Sequence, residues 1–184
     1  MASISLSFRQ ATPADIDAIL PIIRRAYRGR EGWTTEADWL NDKRISPAGL
    51  LEKINNPRGV VFVAIDDGTG EVVSCCELEL QKSSGLPVGY FGLFAVDPSR
   101  QAQGIGRRVM EWAEEYAKDR WAVQSMEMWV IYLRDDLIEY YGRRGYRRTG
   151  ETREFPYEHL YEGKALRDDL YFDVLRKEIP PIPN

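Results

Sequence analysis

The stretch FAVDPSRQAQGIGRR, residues 94–108, decides the fold of this 184-residue chain. An apolar strand ends at Val96, a turn follows, and Gly104 and Gly106 begin a helix. The backbone N–H groups at a helix N-terminus are unpaired, and the helix dipole makes that end positive. Glycines let a phosphate approach the backbone closely, so the stretch predicts an anion site suited to a pyrophosphate.

The glycine pair by itself is compatible with more than one kind of protein. A dinucleotide-binding loop needs a third glycine, but position 109 is Val109, and the phosphate loop of nucleotide hydrolases needs a Gly-Lys-Ser or Gly-Lys-Thr sequence that is absent. A nucleotide-binding protein of another fold, or a helix start without a ligand, would fit the glycines alone.

Outward from this stretch, the pattern predicts β-α-(α)-β-β-β-α-β-α-β-β. The predicted strands are residues 4–8, 60–65, 72–80, 90–96, 125–131, 147–154 and 170–175. The predicted helices begin near Thr12, Ile45, Ile105 and Asp135, with further helical pieces within residues 33–56. Hairpin turns make three strands antiparallel, whereas the strand–helix–strand unit over residues 90–131 needs a parallel crossover. We expect a single α/β domain over residues 1–184, with one mixed, mostly antiparallel sheet of about seven strands, helices on both faces and an extended tail at 179–184.

The composition excludes several function classes. Hydrophobic residues make up 43% and charged residues 29%, which argues against disorder, and the net charge of −4 argues against a broad nucleic-acid surface. The single histidine and the adjacent Cys75 and Cys76 cannot form a His/Cys zinc site, so no metal is expected. Neither a membrane-spanning apolar run nor a secretory signal is visible, which predicts a cytoplasmic protein that does not bind membranes.

Two motifs in order resemble the GNAT superfamily of N-acetyltransferases. Gln101, Gly104 and Gly106 fill its Gln/Arg-x-x-Gly-x-Gly/Ala signature, and residues 140–146, YYGRRGY, resemble its Tyr-x-x-x-Gly-Phe/Tyr segment. The resemblance covers nearly the whole chain and is weakest over residues 30–56. It implies the GNAT acyl-CoA N-acyltransferase fold, in which two central parallel strands splay apart.

The resemblance implies acetyl-CoA as the cofactor, held between the strands at 90–96 and 125–131. Its pyrophosphate would lie on the amides of residues 101–107, and its pantetheine arm would pair with the backbone of residues 94–96, where an amide would stabilise the oxyanion. Arg134 stands where many relatives have an asparagine that contacts the pantetheine arm. Two other roles would also fit Arg134: pairing with an aspartate, or binding an acidic group of the substrate. The expected cofactor-binding residues are Phe94, Ala95, Val96, Gln101, Ala102, Gln103, Gly104, Ile105, Gly106, Arg107, Arg108 and Arg134.

Tyr141 falls on the position that serves many relatives as general acid. A phenol with a pKa of about 10 is protonated at neutral pH and can donate to the leaving thiolate. The general base is open, because Gly92 lies near the place where many relatives carry a glutamate. Glu77 and Glu79, which share one face of the preceding strand, are the candidates. Core packing of Tyr141 and a solvated sheet face for the two glutamates are the alternatives.

The resemblance further implies that the early helices and last strands enclose the acceptor. The expected substrate-binding residues are Tyr27, Trp33, Phe155 and Tyr157, with core packing as the alternative. The acceptor would be a primary amine of a small molecule or peptide that attacks acetyl-CoA directly in a ternary complex. The net charge mildly favours cationic acceptors, and a homodimer is open. The missing glutamate at Gly92 motivates a second hypothesis, a non-catalytic acyl-CoA-binding module or sensor.

Overall fold

The computed structural model describes residues 4–83 and 85–180. The strands are β1 (Leu6–Gln10), β2 (Gly59–Asp66), β3 (Val72–Ser83), β4 (Leu86–Val96), β5 (Ser125–Ile131), β6 (Arg147–Glu154) and β7 (Tyr171–Glu178). The helices are α1 (Ile16–Arg28), α2 (Pro47–Ile54), α3 (Ile105–Trp121) and α4 (Asp135–Gly142).

Within these residues the strands form one sheet in the order β1-β2-β3-β4-β5-β7-β6. Only the β4–β5 pair is parallel, because α3 connects the two strands by a crossover. The predicted mixed, mostly antiparallel sheet is therefore confirmed. The last strand, β7, inserts between β5 and the charged edge strand β6.

The parallel strands are paired over only three residues each, Val88–Tyr90 against Ser125–Glu127. Beyond that point they separate while β4 continues to Val96 and β5 to Ile131. The β3–β4 register also shifts here, and Leu93 has a φ of 46°, which is unusual for a residue with a side chain. The result is a V-shaped cleft in the middle of the sheet.

Helices cover both faces of the sheet, as expected. The apolar stripe of α1 and α2, with Ile23 and Leu50, packs on Val63 and Leu93. On the opposite face, α3, through Met110, and α4, through Tyr141, join a cluster that includes Phe62, Leu78 and Met126 of the sheet. Cys75 and Cys76 fall in different clusters because neighbouring strand residues point to opposite faces. Burial raises the pKa of Cys75 to about 12, so the thiol is inert packing.

Three local expectations differ from the structure. Residues 33–56 contain one α-helix, α2, and the loop before it is fastened by ion pairs such as Arg28–Glu36, 2.5 Å. The strand β4 begins four residues earlier than predicted, since its pairing with β3 extends to Ser83 and Leu86; Ser84 lies outside the described residues. Ile179 is buried and donates its N–H to Gln124 O at 2.9 Å, so the predicted tail does not begin there.

The remaining predicted tail, residues 181–184, lies outside the described residues. Across the described chain, each helix is too short or too polar to cross a bilayer.

Candidate active site

Two cavities meet at the mouth of the V-shaped cleft. The first, about 310 Å³, runs along the start of α3 and is called the loop cavity. The second, about 330 Å³, lies between the splayed strands and the loops around residues 36–44 and 154–160, and is called the cleft cavity. Both are lined by Tyr27, Phe94, Leu137 and Tyr141, which mark the junction.

The loop cavity owes its shape to two unusual backbone conformations and a close contact. Ala102 and Gly104 have φ of 65° and 74°, and Gly104 is the N-cap of α3. Gly106 lies so close to α4 that an added Cβ would stand 2.8 Å from the Tyr140 hydroxyl. A side chain at position 106 would therefore fill the space between the loop and α4.

The start of α3 fits a diphosphate. The earliest backbone bond back into this turn within the described chain runs from Arg108 N to Gly104 O, 3.3 Å, so the preceding amides point outward with no intrahelical acceptor. Arg107 and Arg144 bring two guanidinium groups to the same cavity, and Arg144 lies 3.4 Å over the ring of Tyr140. Outward amides, a positive helix end and two cations are the donor set that a diphosphate needs.

Most of the predicted cofactor-binding residues come together here. The loop cavity is lined by Phe94, Ala95, Val96, Gln101, Ala102, Gly104, Ile105, Gly106, Arg107 and Arg134. Gln103 and Arg108 are not among its lining residues, and Arg108 donates instead to Ile4 O at 2.5 Å. The Gln101 side chain accepts a hydrogen bond from Trp33 N at 3.0 Å, so it anchors a loop beside the cavity.

Arg134 is buried and its donors are already used within the protein. It contacts Glu36 Oε1 at 3.1 Å and Asp136 Oδ1 at 3.2 Å, and it also donates to the hydroxyl of Thr34. The pairing with an aspartate, one of the alternatives for this residue, is present. Arg134 therefore borders the loop cavity as a support that joins the loop before α2 to the start of α4.

Tyr141 stands at the junction of the cavities, where its ring is only 6% exposed. Its hydroxyl has no hydrogen-bond partner in the described part of the chain. Burial, more than the neighbouring Tyr27 and Tyr140, raises the pKa of Tyr141 above its usual value of about 10. Tyr141 is thus a protonated donor that lines both cavities.

The candidate bases Glu77 and Glu79 line neither cavity. Glu77 is buried and accepts from Lys53 Nζ at 2.7 and 2.8 Å, whereas Glu79 accepts from Asn56 at 3.3 Å. Glu77 pairs in register with Gly92 across β3 and β4. The catalytic role of either glutamate stays a prediction.

Gly92 is covered by a neighbouring ring. A Cβ at position 92 would lie 2.7 Å from the hydroxyl of Tyr90, which lines the cleft cavity. Burial raises the pKa of Tyr90, so a neutral phenol occupies the place where many relatives carry a carboxylate.

The four predicted acceptor residues separate. Tyr27 lines both cavities and Phe155 lines the cleft cavity. Trp33 lines the loop cavity instead, with its ring centroid 5.6 Å from that of Tyr140. Tyr157 does not line the cleft cavity: it packs edge-to-face on Phe155 and its hydroxyl accepts from Leu170 N at 2.7 Å.

Sequence reasoning missed the charged part of the cleft cavity. Arg28, Glu36, Asp42 and Arg44 all line it, although they lie in the segment with the weakest pattern. Arg144 was also missed; it lies just after α4, and its spacing of four from Tyr140, whose carbonyl it contacts at 2.8 Å, was the available signal.

Comparison with known proteins points in one direction. A model of the acetyltransferase (GNAT) family matches residues 16–146. S-(2-succino)cysteine N-acetyltransferase from Bacillus subtilis (strain 168) is 38% identical over 80 residues, which are 42% of this chain and 48% of that protein. The chain thus matches about half the length of this curated relative.

Two solved structures share the fold over nearly the whole chain. The PaiA N-acetyltransferase from Thermoplasma acidophilum, in complex with coenzyme A, has a TM-score of 0.70 at 15% identity, covering 96% of this chain and 100% of that one. The ribosomal-protein-S18-alanine N-acetyltransferase from Escherichia coli has a TM-score of 0.67 at 16% identity, covering 98% and 97%.

Proposed function

The chain belongs to the acetyltransferase (GNAT) family, and we propose that it transfers the acetyl group of acetyl-CoA to a primary amine by direct attack in a ternary complex. The observation that carries the proposal is the junction of the two cavities. The loop cavity has an anion-binding end, the cleft cavity opens to a second ligand, and the two meet at Tyr141. The acetyl donor and the amine acceptor can therefore bind in different cavities with their reacting groups adjacent at the junction.

The loop cavity would hold the cofactor, which supplies an acetyl thioester when bound. Residues 101–107 would hold the pyrophosphate through backbone amides, with Arg107 and Arg144 adding charge-assisted contacts. Beyond Tyr90 the cleft edge of β4 is unpaired, so residues 94–96 offer backbone groups to the pantetheine arm. An amide of this segment would stabilise the developing oxyanion.

Tyr141 would supply the proton that the reaction needs. The amine nitrogen forms a bond to the acetyl carbon, the carbon–sulfur bond breaks, the nitrogen loses a proton and the sulfur gains one. Tyr141 is the proton donor to sulfur in this scheme, because it is protonated, buried and lines both cavities.

Glu77 is the better placed candidate to accept the proton of the amine. It lies opposite Gly92, where β4 has separated from β5, whereas Glu79 lies opposite Tyr90, where the two strands are still paired, and contacts Asn56 and Arg58. Because Glu77 lines neither cavity, the proton would reach it through Tyr90 or an intervening water.

The acceptor class is an amine with a compact substituent. The relatives named above differ in their acceptors: one is named for a substituted cysteine and another for an alanine of a ribosomal protein. In this chain the cleft cavity is about 330 Å³ and is lined by aromatic, aliphatic and charged side chains, which suits a small molecule or a peptide terminus.

The proposal is tested in two steps. Coenzyme A and acetyl-CoA should raise the melting temperature, whereas NAD and ATP should not. Thiol release from acetyl-CoA should then depend on an added amine from a panel of amino acids, polyamines and peptides. Binding without turnover across the whole panel would favour the non-catalytic acyl-CoA sensor, and no stabilisation by coenzyme A would refute both.

A further inference from the structure

The cleft cavity contains a guanidinium group without a carboxylate partner. Arg44 lines this cavity, and within the described residues no carboxylate oxygen lies within 4.0 Å of its guanidinium nitrogens, which make no hydrogen bond. A half-buried cation of this kind is costly unless it is paired. Arg44 therefore differs from Arg28, the other arginine among the described residues that line this cavity.

The neighbouring carboxylates are already engaged. Arg28 contacts Glu36 at 2.5 Å and Asp42 at 2.7 Å, and Arg134 contacts the other oxygen of Glu36 at 3.1 Å. These four side chains form a closed, buried network beside Arg44. Of the other ionisable groups on the cavity wall, Glu154 and His159 lie away from this network, on β6 and the loop that follows it.

The backbone fixes the position of Arg44. Its φ is 65°, a left-handed conformation that a residue with a side chain adopts only where the surroundings impose it. Its N–H donates to Asp42 Oδ2 at 2.8 Å, and the preceding Lys43 N donates to Tyr161 O at 2.7 Å. The guanidinium carbon then lies 4.9 Å above the centre of the Tyr27 ring.

Tyr27 links this cation to the reacting centre, since it lines both cavities together with Tyr141. A carboxylate bound to Arg44 would thus lie near the Tyr27 ring, which also borders the junction. This proximity suits an amine and a carboxylate only a few bonds apart. Trp129, Phe155 and Phe172 give the same cavity an apolar part.

We infer that the acceptor is an amino carboxylate, an amino acid or a small derivative of one, whose carboxylate pairs with Arg44 while its amine reaches the junction. The planar guanidinium offers two parallel N–H donors to a carboxylate. This inference rests on the proposed function, which it narrows to a substrate class. The local cation outweighs the weak steering toward cationic acceptors that the net charge suggests.

The test compares acceptors that differ only in the carboxylate. Thiol release from acetyl-CoA is measured with the standard L-amino acids, with the α-amides of the best substrates and with the corresponding decarboxylated amines. The free acids should have a kcat/KM roughly tenfold or more above that of their amides, because a charge-assisted pair is lost in the amide.

Three variants identify Arg44 as the cause. Arg44→Gln should remove the preference for acids over amides, and Arg44→Lys should restore part of it. Lys43→Gln removes the same charge one residue away, at a half-exposed side chain paired with Glu162, and should keep the wild-type preference. Thermal stabilisation by coenzyme A should be equal in all four proteins, which shows that the Arg44 variants fold and bind the cofactor.

The outcomes separate this inference from the proposed function. Turnover of amides, polyamines or peptides with the free acids inert would overturn the carboxylate pairing and leave the acetyltransferase intact. An unchanged preference in Arg44→Gln would also overturn it. Loss of coenzyme A binding in the wild-type protein would instead refute the proposed function itself.

Discussion

Replacing Tyr141 by phenylalanine removes one oxygen atom at the junction of the two cavities. The hydroxyl donates to nothing within the described residues, and the ring stays packed with Leu137 and Ile138 in the core. No partner is left unsatisfied, so the free energy of unfolding should change by less than about 1 kcal/mol. A loss of activity would then be chemical and not a loss of folded protein.

The kinetic effect should be large. General acid catalysis contributes about 10²–10⁴-fold, so kcat should fall by that factor, equivalent to about 3–5 kcal/mol of barrier. The KM and Kd for acetyl-CoA should change little, because the phosphate loop lies at the other end of the loop cavity. Since burial raises the pKa of Tyr141, the wild-type kcat should show no alkaline fall from this group up to about pH 10.

Tyr140→Phe is the matched control. Tyr140 is adjacent on α4 and loses the same atom, but it lines only the loop cavity, under the guanidinium of Arg144. Its kcat should stay within about threefold of wild type in the thiol-release assay, and an effect of the substitution should be confined to the KM for acetyl-CoA. A Tyr141→Phe enzyme as fast as the control, or a control as slow as Tyr141→Phe, would refute the general-acid assignment.

Three other perturbations examine the phosphate loop, the base and the pH dependence of folding. Gly104→Glu should abolish coenzyme A binding in calorimetry. Gly104→Ala adds a Cβ that meets nothing within 4 Å, so its only cost should be the ~1–2 kcal/mol of stability lost to left-handed backbone strain. Equal affinities of the two variants for coenzyme A would contradict the loop assignment. Glu77→Gln should lower kcat/KM while Glu79→Gln keeps the wild-type value, and equal kcat/KM in the two variants would remove Glu77 from the mechanism. Asp15→Asn should destabilise the fold by about 1–2 kcal/mol at pH 7, because hydrogen bonds from Arg9 at 2.7 and 2.8 Å hold the pKa of Asp15 below its usual range. That stabilisation is complete above about pH 3.9, the pKa of the aspartate in the unfolded chain, and is lost as pH falls. The urea midpoints of the wild type and of Asp15→Asn should therefore converge below about pH 4. A difference between the midpoints that does not change with pH would contradict the assignment.

The parts of the site that the sequence predicted are those set by local chemistry. The loop before α3 follows from the glycines and the helix start, because neighbours along the chain determine which amides are unpaired. Tyr141 follows from the resemblance of residues 140–146 to a family segment of fixed spacing. The hairpins and the crossover determine the sheet, since turn residues and strand periods are visible without any long-range contact.

The parts that the sequence did not predict depend on contacts between distant segments. Arg44 reaches the cleft cavity because Asp42 holds its N–H and Tyr161 holds the residue before it, and neither contact has a periodic signature. Trp33 lies in the loop cavity because its N–H is bound by Gln101, 68 positions away. The pattern of hydrophobic residues carries no information about a loop that is positioned by such bonds.

Gly92 shows why a missing residue is hard to interpret from sequence. The absence of a glutamate there suggests a binding module without catalysis. In the structure the space is filled by the hydroxyl of Tyr90, and Glu77 lies directly across the strand pair. The polar groups at this place come from neighbouring positions, which a position-by-position reading of the sequence does not detect.

Arg134 connects the two halves of the proposed mechanism. Its buried pair with Glu36 joins the start of α4, which carries Tyr141, to the loop that leads to Arg44. A buried ion pair contributes little net stability because desolvation offsets the attraction, but it tolerates few alternative geometries. Glu36 is shared with Arg28, so the proton donor and the cation that would hold the acceptor are set relative to one another by one carboxylate. Arg134 itself lines the loop cavity, so it supports the proposed acceptor side of the junction from the proposed cofactor side.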